Sequence, residues 1–292
     1  MSAATAAGVR GRARRGTVRA ALFRAFLLLS LAIGFVALGT LVADVLWKGI
    51  PYLDGILFTE APSADPDQAG ARPAILGTVY LMGLVLLMAV PIGVGTAIYL
   101  EEYADRERWY NRLLELNIQN LAAVPSIVYG ILGLAFLVRG VGLGRVLLAG
   151  AMILTLLVLP IVIVASREAI RAVPDSIRHA AYALGATKWQ VVSRQVIPAA
   201  TAGIATGSIL ALARAIGETA PLLLVGALTY VAFDPTVLGA FTALPIQIFQ
   251  WTARPQEDFK LLAAAAIVVL LAILLTMNAL AIWLRDRYQT RF

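Results

Sequence analysis

The 292-residue chain contains no cysteine and one histidine, His179. No disulfide framework or thiolate metal site can be built from it, and one imidazole does not make a histidine-cluster metal centre. No G-x-x-x-x-G-K-[ST] run occurs, so the chain does not cradle ATP phosphates in the usual way, and no nucleophile comes with a base and an orienting acid. These absences exclude an enzyme acting alone and leave no metal or other cofactor expected on the chain itself. Charge is also scarce. Only 14% of residues are charged and 60% are hydrophobic, with a mean hydropathy of +0.84, against roughly 45–50% apolar residues in a soluble domain. The composition is that of a membrane protein.

Crossing a hydrocarbon core of about 30 Å takes about 20 helical residues. Six apolar runs meet that length, near 22–46, 75–100, 116–138, 147–170, 200–230 and 261–284. The first is too long for a cleavable signal peptide and lacks an Ala-x-Ala-like end before Trp47 and Lys48, so it is expected to stay as an anchor. The basic residues set the orientation. With the N-terminus inside, 17 of the 24 are assigned to inside segments and 6 to outside segments, and the one left over, Arg214, lies well within the fifth run. Both termini are therefore expected to be cytoplasmic. The arginine-rich start, residues 1–21, reads as an orienting, lipid-facing tail and not as a nucleic-acid arm. Residues 285–292 form a second short cytoplasmic tail, and the runs between make one membrane domain, 22–284.

Two outside segments, 48–74 and 231–259, combine Pro, Gly and acidic residues with apolar patches long enough for a short helix. The second carries Phe249 and Trp251, which suit an interfacial anchor or a docking surface. The inside connection 167–200 differs. Pro174 and Pro198 bracket a segment in which Ile177, Ala181, Leu184 and Trp189 recur at about helical spacing, with Gly185 in the middle. This pattern predicts two short helices and a break, a compact knob able to enter a cleft on another protein.

The spacing Ala180, Ala181, Gly185, Ala186, then Ile197 and Pro198 resembles the EAA loop by which ABC-transporter permeases dock onto their ATPase subunits. It departs from that pattern at His179, where a glutamate is usual, and at Gln195, where an isoleucine is usual. A solvated helix residue is the simplest reading of His179. Further stretches carry a more specific likeness: "VPIGVGTAIYLEEYA" (90–104), "AVPSIVYGILGLAFLV" (123–138), "ALGATKWQVV" (183–192), "RAIGETAPLL" (214–223) and "LPIQIFQWTARPQEDF" (244–259). Together they resemble the phosphate-specific ABC permease of the PstA type, from about residue 75 to 260. The resemblance implies an all-α, six-span, type I importer permease of the inner membrane. It also implies a homologous permease partner of the PstC type, two ATPase subunits of the PstB type that would carry the ATP, and an extracytoplasmic phosphate-binding protein of the PstS type.

Arg214 and Glu218 are the two charges in an otherwise apolar or small stretch, four residues apart and so on one helix face. An arginine at mid-span costs about 2.5–3.5 kcal/mol on insertion scales, and such a residue is a functional candidate by default. A buried ion pair that fixes helix packing is the competing reading. The resemblance assigns the arginine to the phosphate pathway. Its planar fork of donors suits phosphate oxygens and stays charged. Glu218 would neutralise Arg214 when no substrate is bound and accept a hydrogen bond from the proton that phosphate keeps and sulfate lacks. One straight helix over 200–230 would be about 46 Å long, more than the core needs. Gly217 and Pro221 flank Glu218 and predict a kink or break there. Pro91, Pro125 and Pro160 are weaker points of the same kind, and Gly130, Gly133, Gly203 and Gly207 suit close helix contacts. Three other readings stay open at this stage: a permease for another oxyanion such as sulfate or molybdate, an ion-coupled secondary transporter using Glu218 for a proton, and a membrane sensor, for which no cytoplasmic segment is long enough to form a signalling domain.

Overall fold

The computed structural model describes residues 3–105, 107–226 and 231–288. Arg106, the end of the fifth apolar run at 227–230, and Arg291 of the C-terminal tail lie outside them. Every regular element among the described residues is helical. In chain order they are α1 (Ala3–Gly49), α2 (Gly55–Thr59), α3 (Arg72–Ile98), α4 (Trp109–Ala122), α5 (Ser126–Gly133), α6 (Leu147–Arg171), α7 (Asp175–Ala183), α8 (Lys188–Val191), α9 (Ile197–Ala215), α10 (Ala220–Val225), α11 (Leu244–Thr252) and α12 (Glu257–Tyr288), with short 3-10 turns at Ile50–Tyr52 and Pro66–Gln68. Three π-helical stretches, Tyr99–Tyr103, Leu134–Gly140 and Val192–Val196, extend α3 and α5 and join α8 to α9.

The centre of the bundle is α6. It is apolar on nearly all sides, as a helix must be when neighbours cover it, and its buried residues include Gly150, Ile153, Leu154, Leu157, Val158 and Val162. One flank meets α3, whose Ala74, Thr78, Leu81, Val85, Ala89, Gly93 and Ala97 form a stripe at helical spacing. The other meets α9. There Gly203 faces Ala169 and Gly207 faces Ala165, and a Cβ added at either would come closer than 3.0 Å to its neighbour. Such glycines let two backbones approach where lipid supplies no hydrophobic drive for association. α1 stands apart. From Arg19 to Tyr52 its most apolar window has no buried residue, and it touches the bundle near its end, where Gly49 lies against the Ala264 backbone of α12.

Five helical segments among the described residues are long and apolar enough to span a membrane: Arg19–Tyr52, Arg72–Tyr103, Leu147–Arg171, Lys188–Ala215 and Glu257–Arg287. The third expected span is not one helix. α4 and the α5 segment through Gly140 meet at a bend of 106°, because Pro125 opens α5 and the residue before a proline is driven out of helical geometry. They make a sixth span only if the bent pair is counted as one. Pro91 and Pro160, by contrast, sit inside continuous helices.

The fifth expected span also needs correction. Its helix starts at Lys188, inside the connecting knob, and ends at Ala215. Pro198 does not bracket the knob, because the π-helical turn at Val192–Val196 precedes it and the ring sits at the start of α9, where a missing N–H is tolerated. In the segments 48–74 and 231–259, α2 and α11 are the short helices expected. Trp251 is not an interfacial anchor: it is 1% exposed and packs on Phe259, while Phe249 is exposed.

Candidate functional site

Arg214 occupies the last turn of α9, and Glu218 lies three residues past the end of that helix, beyond the turn at Ile216–Gly217. The chain leaves the helix through tightened turns, with Gly217 N–H donating to the Arg214 carbonyl at 3.3 Å and Glu218 N–H to the Ala215 carbonyl at 3.2 Å. It re-enters at α10, where Pro221 supplies a first-turn residue that needs no N–H partner. α10 ends at Gly226, whose φ of +93° only glycine adopts readily. Gly217 and Pro221 thus stand within and just after a break between two helices.

The break faces a second one. Gly130 of α5 packs against Pro221, and an added Cβ there would lie 2.7 Å from Pro221 Cα. Gly133 is pressed in the same way against Ile153 of α6. The broken α4–α5 segment therefore lies directly on the broken α9–α10 segment.

Arg214 Nε meets Glu218 Oε1 at 3.5 Å, with the side chains 51% and 18% exposed. Among the described residues the Nη groups of Arg214 have no hydrogen-bond partner. A pair this long and this exposed contributes at most about 1 kcal/mol. The guanidinium is held only loosely by its neighbour. Arg214 stands at the end of the Lys188–Ala215 segment, where its exposed guanidinium is open to water or to another protein.

The knob has the predicted two helices. α7 ends at a turn in which Gly185 takes φ +79°, and α8 opens with a capping box in which Thr187 N–H donates to Gln190 Oε1 at 2.8 Å and Gln190 N–H donates to Thr187 Oγ1. Leu184 at the tip is 89% exposed, and Tyr182 and Trp189 are also exposed. A groove of ≈ 520 Å³ runs over Ile177, Ala180, Ala181, Gly185, Ala186 and Gln190. His179 is exposed, in keeping with a solvated helix residue, and Ile197 and Pro198 are half-buried at the start of α9.

Sequence reasoning missed a third group. Glu101, Glu115, Arg167 and Arg171 interlock where the π-helical end of α3 meets α4 and α6, and Glu102 pairs with Arg178 of α7 beside them. From the sequence, Arg167, Arg171 and Arg178 read only as orientation signals. The available clue was the Glu-Glu pair closing a long apolar run, opposite an arginine closing another.

This arrangement, a multi-pass helical bundle with broken helices meeting beside a charged pair, defines a membrane transport component. Its fold matches that of a bacterial alginate ABC transporter crystallised with an alginate pentasaccharide-bound periplasmic protein, with a TM-score of 0.66 over 92% of this chain and 95% of that one at 17% identity. The chain belongs to the family of binding-protein-dependent transport system inner membrane components, whose family model matches residues 89–291. It is 34% identical to "Phosphate transport system permease protein PstA 1" of Mycobacterium tuberculosis (strain CDC 1551 / Oshkosh), over 75% of this chain and 72% of that protein. It is likewise 34% identical to "Phosphate transport system permease protein PstA" of Haemophilus influenzae, over 86% of this chain and 88% of that one.

Proposed function

We propose that the chain is the PstA-type permease subunit of an ATP-driven phosphate importer. The observation that carries the reading is Arg214, half-exposed at a helix break within the membrane domain and only loosely held by Glu218. The likeness to PstA proteins over most of the chain supports phosphate as the substrate. The partners are a homologous permease of the PstC type, two ATPase subunits of the PstB type and an extracytoplasmic binding protein of the PstS type. ATP is bound and hydrolysed on the ATPase and not on this chain. Both termini face the cytoplasm.

The proposed roles are as follows. With no substrate, Glu218 offsets part of the charge of Arg214. Phosphate delivered from outside takes the free Nη donors in a fork-like contact. Glu218 accepts the hydrogen bond of the proton that phosphate retains, which sulfate cannot offer. The exposed apolar tip around Leu184, with Ala180, Ala181, Gly185 and Ala186 beside it, docks into the ATPase. Closure of the ATPase dimer moves that knob, and the breaks at 123–125 and 216–219 let the spans rock between outward and inward access.

The test is uptake of labelled phosphate into vesicles reconstituted with all subunits, with and without internal ATP and with excess sulfate outside. ATP-dependent accumulation that resists sulfate supports the reading. Uptake abolished by sulfate assigns a different oxyanion. Uptake that survives ATP removal and fails with an uncoupler assigns an ion-coupled carrier.

A further inference from the structure

A knob that an ATPase moves must be joined to the spans, and here the joint is three consecutive residues at the π-helical end of α3. Glu101 Oε1 accepts hydrogen bonds from Arg167 Nε and Arg171 Nη2, both at 2.8 Å and both at the end of α6. Glu102 Oε1 accepts from Arg178 Nη2 at 2.8 Å and Nε at 3.2 Å, and Arg178 belongs to α7. The Tyr103 ring carries Lys188 Nζ 5.0 Å from its centroid, and Lys188 is the first residue of α8. Both halves of the knob, on either side of the Gly185 turn, therefore grip adjacent positions of one span.

The grip extends further. Arg167 Nη2 also reaches Glu115 Oε1 of α4 at 2.7 Å. Arg178 Nη1 donates to the Val173 carbonyl at 2.6 Å and Nη2 to the Ile170 carbonyl at 3.0 Å, closing the end of α6. The side chains of Glu101 and Glu102 are 3% and 8% exposed, those of Arg167 and Arg178 9% and 15%. Buried pairs of this kind resist opening, because separating one strands an uncompensated charge. The π-helical turn, closed by Ala104 N–H donating to the Tyr99 carbonyl at 2.8 Å, breaks the regular helical stagger where the three side chains part toward α6, α7 and α8. π-Helical turns are often found at functional sites.

We infer that Glu101, Glu102 and Tyr103 are positioning residues for energy coupling, forming the joint through which the knob drives α3, α6 and α4. The inference rests on the reading of the knob as the ATPase-docking surface. A set of pairs that served stability alone would hold α3 to α6 without engaging both halves of the knob.

The experiment measures phosphate uptake and ATP hydrolysis on the same vesicles of fully assembled transporter carrying Glu102→Gln, Glu102→Asp or Lys188→Gln. In Glu102→Gln the ATPase subunits stay bound and hydrolysis continues, while phosphate moved per ATP falls roughly tenfold; Glu102→Asp, which keeps the charge, retains most of the ratio. A normal ratio in Glu102→Gln overturns the inference, and so does an equal loss in Gln and Asp. Should Glu102→Gln fail to assemble, Lys188→Gln decides, because it leaves every ion pair in place: a lowered ratio supports the joint and a normal one overturns it. Failure of the docking reading is separately visible, as a wild-type chain that neither binds the ATPase nor needs ATP.

Discussion

Replacing Gly130 by alanine tests the contact that brings the two broken helices together. The new Cβ would stand 2.7 Å from Pro221 Cα, 3.1 Å from the Pro221 carbonyl oxygen and 3.0 Å from Leu224 Cδ1. Two of those atoms are backbone and cannot swing aside, so α5 and α10 must separate. Overpacking of this kind costs about 1–3 kcal/mol, partly offset by the roughly 1 kcal/mol that alanine gains over glycine inside a helix. Gly95→Ala isolates the second term, since nothing lies within 4 Å of a Cβ on that face of α3. Gly130→Ala is therefore expected about 1–3 kcal/mol below Gly95→Ala. At roughly 2–4 °C per kcal/mol for chains near this size, the gap is roughly 2–12 °C in thermal midpoint. Heat-induced unfolding of the purified subunits in detergent, followed by tryptophan fluorescence, reads the difference. Equal midpoints would refute the close packing of the two breaks.

Gly185→Ala forces a side chain into a left-handed turn with φ +79°, a strain of about 1–2 kcal/mol; less ATPase should co-purify with the permease, and undiminished recovery would count against the turn's role in docking. Trp251→Ala removes a side chain that is 1% exposed and should cost about 3–5 kcal/mol of stability, whereas Phe249→Ala should change the thermal midpoint little; the reverse order would restore Trp251 as an interfacial anchor. Glu218→Gln replaces an acceptor-only carboxylate by a neutral amide that can also donate to sulfate, and the preference for phosphate over sulfate in competition uptake should fall roughly tenfold; an unchanged preference would end that role for Glu218.

Much of the helical layout was legible because the length of an apolar run is a physical requirement of the bilayer. The run near 147–170 reappears as α6 almost unchanged. The run near 116–138 did not, because hydropathy is blind to direction: the break at Val124-Pro125 bends the path by 106° inside a stretch whose composition reads as one span. Pro198 misled for a related reason. Proline ends a regular helix, yet a π-helical turn before it lets Lys188–Ala215 run on. Arg214, Glu218, Gly217 and Pro221 were legible as a group because charge and helix breakers in an apolar stretch are each improbable without cause. Glu101, Glu102, Glu115, Arg167 and Arg178 were not, since their partners lie 52 to 76 residues away in sequence and no local spacing announces a pair made across helices. Trp251 could be read as anchor or core, and only the packing of α11 on α12 decides it.

In the proposed mechanism Arg214 passes phosphate through the membrane domain. The most direct test is ATP-driven phosphate uptake by assembled transporter carrying Arg214→Ala or Arg214→Lys, with ATP hydrolysis recorded on the same vesicles. Arg214→Ala is expected to abolish uptake while hydrolysis continues, and Arg214→Lys to recover only part of it, since a point charge does not replace the planar fork. Uptake near the wild-type rate in Arg214→Ala would contradict the account and leave Arg214 and Glu218 as a packing pair.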